Sequence, residues 1–90
     1  MTRRLLIAGN WKMNLTLAGS LELADGLKKA ASDIADVDIA VCPPSIYVQP
    51  VAATLKGSNI GTGAQNIYFE KEGAFTGEIS AGMLKDAGCQ

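Results

Sequence analysis

Four apolar residues in unbroken succession, Leu5-Leu6-Ile7-Ala8, give way abruptly to Gly9-Asn10-Trp11-Lys12-Met13-Asn14. A short apolar run without polar alternation predicts a strand buried on both faces of a parallel sheet. A helical period follows, with Leu17, Ala24, Leu27, Ala31 and Ile34 on one face and Thr16 or Ser20 placed to cap it. Lys28 and Lys29 in its second half suit the helix dipole, whereas Gly19 and Gly26 weaken the helix. Residues 33–36 read as a turn into a second strand at residues 39–42, which Pro43-Pro44 must end because proline cannot continue a central ladder. Residues 45–56 read as a short helix with Pro50 early in it and Gly57 in the left-handed closing position.

A third strand is predicted over residues 59–65, where Gly61 and Gly63 leave one face nearly without side-chain volume. Residues 66–79 show neither period and are long for a connection inside a compact domain, which points to a loop that docks onto something. Ser80 caps a last short helix over residues 81–87, Gly88 ends it, and a fourth strand is expected from Cys89-Gln90. The order β-α-β-α-β-loop-α implies right-handed parallel crossovers, as in an open doubly wound sheet or an arc of a (βα)₈ barrel. All 90 residues are read as one partial domain.

Composition narrows the chemistry. A chain 48% hydrophobic and 19% charged is too apolar to remain disordered. A net charge of −1 gives no field to attract polyphosphate or anionic lipid, so nucleic acid and membrane surfaces are poor partners. Cys42 and Cys89 have no metal-ligand or redox spacing and read as buried thiols of a cytoplasmic protein. The apolar start imitates a signal peptide, but it is too short and ends in Asn10-Trp11-Lys12, so neither export nor a membrane span is expected. On the same ground the Asn14-Leu15-Thr16 sequon is a coincidence. The sequence contains no histidine, which removes the side chain best suited to acid–base work near neutral pH and every His-containing metal site. No cofactor or metal is called for. Gly61-x-Gly63 opens like a dinucleotide fingerprint, but Asn66 stands where its last glycine belongs, so a flavodoxin-like nucleotide module is the weakest reading.

The candidate chemistry lies at the end of the first strand. If the backbone is still extended there, Asn10 and Lys12 point to the same side and bring an amide and an ammonium together. In parallel α/β folds ligands bind beyond the carboxyl ends of the strands, where the loops gather.

Three stretches, in order, carry a family resemblance: Gly9-Asn10-Trp11-Lys12-Met13-Asn14, Cys42-Pro43-Pro44, and Gly63-Ala64-Gln65-Asn66 leading into Gly73-Ala74-Phe75-Thr76-Gly77-Glu78-Ile79-Ser80. The chain resembles the N-terminal part of the triosephosphate isomerases, and the first and last of these motifs are highly specific. The resemblance implies a parallel (βα)₃ segment of a TIM (βα)₈ barrel, which as a separate piece would keep barrel curvature, open or rearrange. It implies that Asn10 and Lys12 face a small phosphorylated triose, with Lys12 supplying positive potential to the substrate and the enediolate-like transition state. It further implies that Phe75, Thr76 and Gly77 are interface residues of a homodimer, with Thr76 buttressing the first loop in trans, and that Gln65 packs or hydrogen-bonds near its strand end. Trp11, Tyr47, Tyr68 and Phe69 are expected to pack.

The family's acid–base pair, a glutamate base and a neutral histidine, is itself a standing example of pKa tuning. Neither has a counterpart here: Glu22, Glu70, Glu72 and Glu78 lie in helix or third-loop contexts. The expectation is a chain that carries part of an active site and is inactive alone. The competing expectation is a self-assembling α/β module, since three parallel strands leave two unpaired edges and bare apolar surface. A homo-oligomer, or pairing with a complementing C-terminal segment, would cover them.

Overall fold

The computed structural model describes residues 3–90. Its elements are β1 (Leu5–Asn10), α1 (Leu17–Ala30), β2 (Val37–Cys42), a 3₁₀ turn (Ser45–Tyr47), α2 (Val48–Leu55), β3 (Ile60–Thr62) and α3 (Ala81–Ala87). The strands form an open parallel sheet in chain order, with Leu5 opposite Val37, Asn10 opposite Cys42, and Ile39 opposite Ile60. The molecule is 21 Å thin along its shortest axis. That thickness matches one sheet and one helical layer at roughly 10 Å each. This is the (βα)₃ arrangement.

The core lies between β2–β3 and the two longer helices. Val41 and Ile60 meet Ala24, Ala31, Val51 and Leu55, with Trp11, Leu21, Leu27, Ile39 and Tyr47 packed around them. Residues on the opposite face of the strands are small: Ala8, Ala40 and Gly61 share one level. A Cβ on Gly61 would lie 2.6 Å from the Gln90 side-chain oxygen, and one on Gly63 would lie 3.0 Å from Cys42 Sγ. The approach at Gly63 is tight, whereas the exposed end of the Gln90 side chain can give way at Gly61.

Several expectations are corrected. β1 is not buried on both faces: Leu5, Leu6 and Ile7 are 67%, 63% and 57% exposed. The strand has β2 as its sole neighbour, and no helix among the described residues covers it. β3 is half the expected length because Pro43 and Pro44 offer no N–H beyond Cys42; the last rung is Gly63 N–H donating to Val41 O at 2.8 Å. The helix expected over residues 45–56 begins as a 3₁₀ turn. Pro50 lacks the N–H that would reach the Ile46 carbonyl, and its ring would clash there, so the α-helix starts at Val48 with proline in its first turn.

On α1 the buried face runs through Ser20, Ala24, Leu27 and Ala31, while Leu17 and Ile34 are exposed, Ile34 lying beyond the helix end. Thr16, not Ser20, is the cap, its hydroxyl accepting from Gly19 N–H. Asn59 Nδ2 satisfies the chain leaving α1 by donating to Ala31 O and Ile34 O. The thiols are free and half-buried instead of buried. Burial pushes the Cys89 thiol above its ordinary pKa, and Cys42 adds to the shift. Phe69 does not pack into a core; it is 83% exposed.

Other expectations hold. Gly57 has φ +82°, Ser80 caps α3 by accepting from Met83 N–H, and Gly88 closes it in the left-handed region. Where a fourth strand was expected, the sheet of the described residues has only three; one hydrogen bond, from Gln90 N–H to Thr62 O at 3.0 Å, lies on the side of β3 turned away from β2.

Ser20 Oγ is fully buried and has no hydrogen-bond partner among the described residues. Ser20→Ala should therefore raise stability by about 1 kcal/mol in urea unfolding, because it removes a desolvated hydroxyl and favours the helix. Gly88→Ala should lower it by more than about 1 kcal/mol, since φ is +111° and the new Cβ would stand 2.6 Å from Ala52 Cβ.

Candidate functional site

β1 ends at Asn10, and the chain does not stay extended through Lys12: Lys12 has φ +55° and Leu15 φ +76°. Strand alternation therefore does not bring Asn10 and Lys12 together. A local turn does, because Asn10 Oδ1 accepts the Lys12 backbone N–H at 2.9 Å. A non-glycine residue in the left-handed region is disfavoured by about 1–2 kcal/mol, and such strain gathers at functional sites.

Three loops hold this turn. Trp11 N–H donates to Cys42 O at 3.1 Å, extending the β1–β2 ladder by one rung past Asn10. Gln65 Nε2 donates both to Cys42 O and to Lys12 O, at 2.9 Å each. Asn14 Nδ2 donates to Trp11 O at 2.9 Å and closes the loop on itself. The polar residues after the first strand, the Cys-Pro-Pro end of the second and the glutamine after the third thus form one hydrogen-bonded unit at the carboxyl end of the sheet. Trp11, packed against the core, anchors it from below.

The Lys12 side chain takes part in no ion pair among the described residues, and both Asn10 and Lys12 are exposed. The corner is open to water, so the charge of Lys12 is screened here; an ammonium acts strongly on developing negative charge only where water is excluded. A cleft of about 530 Å³ lies instead between the β3 exit and α3 and is lined by Gly63, Gln65, Leu84, Lys85 and Cys89 among others. Asn10 and Lys12 do not line it. Among the described residues there is no group of three metal-ligating side chains, and no helix is long and apolar enough to cross a membrane.

The third loop is closed at its base by Tyr68 N–H donating to Ile79 O at 2.8 Å, with Tyr68 bridged to Ser80. The Tyr68 ring packs at a tilt against those of Phe69 and Phe75, with centroids 4.6 and 4.7 Å away. Gly73, at φ +144°, lies against the Phe75 ring, where a Cβ would stand 2.7 Å from it. The loop therefore folds on its own aromatic residues. Phe75, Thr76 and Gly77 are presented at an exposed tip, and among the described residues no hydrogen bond joins Thr76 to the first loop. Sequence reasoning missed the positive φ at Lys12; it expected Gln65 to pack or hydrogen-bond near its strand end, and the structure gives it two carbonyl acceptors.

Comparison with known proteins agrees with this architecture. The family model described as triosephosphate isomerase matches residues 5–90. The curated triosephosphate isomerase of Carboxydothermus hydrogenoformans is 56% identical over 90 residues, covering 96% of this chain and 34% of the relative. That of Rhodopirellula baltica is 47% identical over 90 residues, covering 100% of this chain and 35% of the relative. That of Syntrophotalea carbinolica is 51% identical over 88 residues, covering 98% and 35%. The chain thus spans about a third of the length of the curated relatives it matches. Motif order, parallel βα units and a match over nearly every residue agree: the chain belongs to the triosephosphate isomerase family.

Proposed function

We propose that these 90 residues supply the Asn10–Lys12 corner of a triosephosphate isomerase site, acting on the interconversion of dihydroxyacetone phosphate and glyceraldehyde 3-phosphate in cytoplasmic glycolysis and gluconeogenesis, and that they do not turn over substrate alone. The observation that carries the reading is Lys12 itself, held at a positive φ by the Asn10 side chain of its own turn and by the Gln65 side chain from beyond β3, at the carboxyl end of a parallel sheet. Lys12 acts electrostatically on the phosphorylated triose and Asn10 hydrogen-bonds beside it. Inactivity follows from chemistry: the sequence has no histidine, and no glutamate hydrogen-bonds to residues 10–14 among the described residues. Loss of one acid–base group lowers rate by ~10²–10⁴. The chain acts as one partial domain that needs a complementing segment.

A second reading, self-assembly, is favoured by one observation. Leu5, Leu6 and Ile7 lie exposed on a strand with an unpaired edge, the combination that recruits another strand. A homo-oligomer is the partner expected, joined through that edge or through Phe75, Thr76 and Gly77.

An isomerase assay on the pure chain with glyceraldehyde 3-phosphate should give no rate above buffer; turnover would sink the proposal of inactivity. Lys12→Gly should leave the unfolding free energy within about 0.5 kcal/mol, because relief of backbone strain offsets the added chain entropy. Lys12→Val should lower it by more than about 1 kcal/mol, since a β-branched residue resists positive φ. Sedimentation at micromolar concentration should show an oligomer, and a monodisperse monomer would count against self-assembly. Thr76→Arg separates its two routes, since it should dissociate only an oligomer built through the loop tip.

A further inference from the structure

Gln65 reaches Lys12 across 53 positions of sequence, and the chemistry of that contact is restrictive. Both acceptors, Lys12 O and Cys42 O, are backbone carbonyls, so only the –NH₂ end of the carboxamide can serve, and both of its hydrogens are engaged. A glutamate of the same length has no donor to offer, and a leucine none either.

The two peptide planes that flank the Lys12 Cα set its φ and ψ. Asn10 Oδ1 holds the first through the Lys12 N–H. Gln65 holds the second through the Lys12 carbonyl. Gln65 is itself fixed, because its other hydrogen bond goes to the end of β2, whose carbonyl also takes the Trp11 N–H. The disfavoured conformation is thus pinned from both sides, and the restraint on the C-terminal side comes from outside the loop.

We propose that Gln65 is a positioning residue that holds the Lys12 backbone in its left-handed conformation and so sets the direction from which the ammonium meets an anion. The second half of that statement rests on the reading of Lys12 as a contact for a phosphorylated substrate. Without Gln65 the left-handed state is supported on one side only, and Lys12 relaxes toward ordinary negative φ. If the competent conformation then falls to about a tenth of the population, apparent anion affinity falls about tenfold.

The test uses the isotope-labelled 90-residue chain as it stands, with Gln65→Leu and Gln65→Glu. A positive φ shortens the distance from a residue's amide proton to its own Hα, so Lys12 in the parent should give a strong intraresidue Overhauser effect. Both variants should weaken it while the contacts between β2 and β3 persist. Gln65→Glu, close in shape, serves if the leucine variant does not fold. Titration with inorganic phosphate, followed on the Lys12 side chain and by overall affinity, should show about tenfold weaker binding in either variant. In a Lys12→Met background the Gln65 substitutions should change phosphate affinity no further. An unchanged Lys12 signal in both folded variants overturns the proposal, even if both are less stable. Phosphate affinity indifferent to Lys12→Met in an otherwise parental chain overturns the substrate reading instead, and a weakened Lys12 signal in the Gln65 variants would still establish the clamp.

Discussion

The carbonyl oxygen of Cys42 is the point at which the three strand ends are joined. It accepts from the Trp11 amide on one side and from the Gln65 carboxamide on the other. A backbone carbonyl has two lone pairs, and both are used here. The next two residues are prolines, so β2 ends at this atom and cannot continue the ladder. The consequence passes to both neighbours: β1 turns aside after Asn10, β3 after Thr62, and the polar residues that follow each strand meet above the last rung.

The packing beneath explains why that meeting point is defined although the sheet is open. Helices cover only one face, and they cover it over β2 and β3, where Val41 and Ile60 are buried against Val51 and Leu55. Trp11 brings the first loop into the same core. β1 gains its position from hydrogen bonds to β2, and from the pair of Arg4 with Asp38 at its other end. That pair is half-exposed and contributes roughly 0–1 kcal/mol. The loop bearing Lys12 therefore sits at the boundary between a packed half and a bare strand.

Much of this was legible in the residues. Thr16 and Ser80 announced helix starts, Gly57 and Gly88 helix ends, and Pro43-Pro44 the end of a strand, because each acts through its own local chemistry. The motifs around Asn10, Lys12 and Phe75 named the family. What could not be read depended on neighbours. Leu5, Leu6 and Ile7 look like an interior strand whether or not anything covers them. Ser20 is fully buried on α1, and a polar residue does not register in an apolar period. The left-handed turn at Lys12 depends on Gln65, 53 positions away, which no local pattern encodes.

The chain-order arrangement of the strands bears on how the molecule assembles. Leu5 and Val37 are 32 positions apart and Ile39 and Ile60 are 21 apart, so the closure entropies of the two pairings differ by only about 0.4 kcal/mol. Chain topology hardly decides which pairing forms first. Burial does: Val41, Val51, Leu55 and Ile60 are buried together with Ala24 and Ala31 of the α1 segment, whereas β1 brings exposed side chains. β1 with the Lys12 loop is therefore expected to dock last onto the helix-covered part of the sheet and to open first, an order that amide exchange along the three strands would report. The residues with the most demanding geometry sit on the last segment to be secured, and their conformation is imposed by a scaffold already in place.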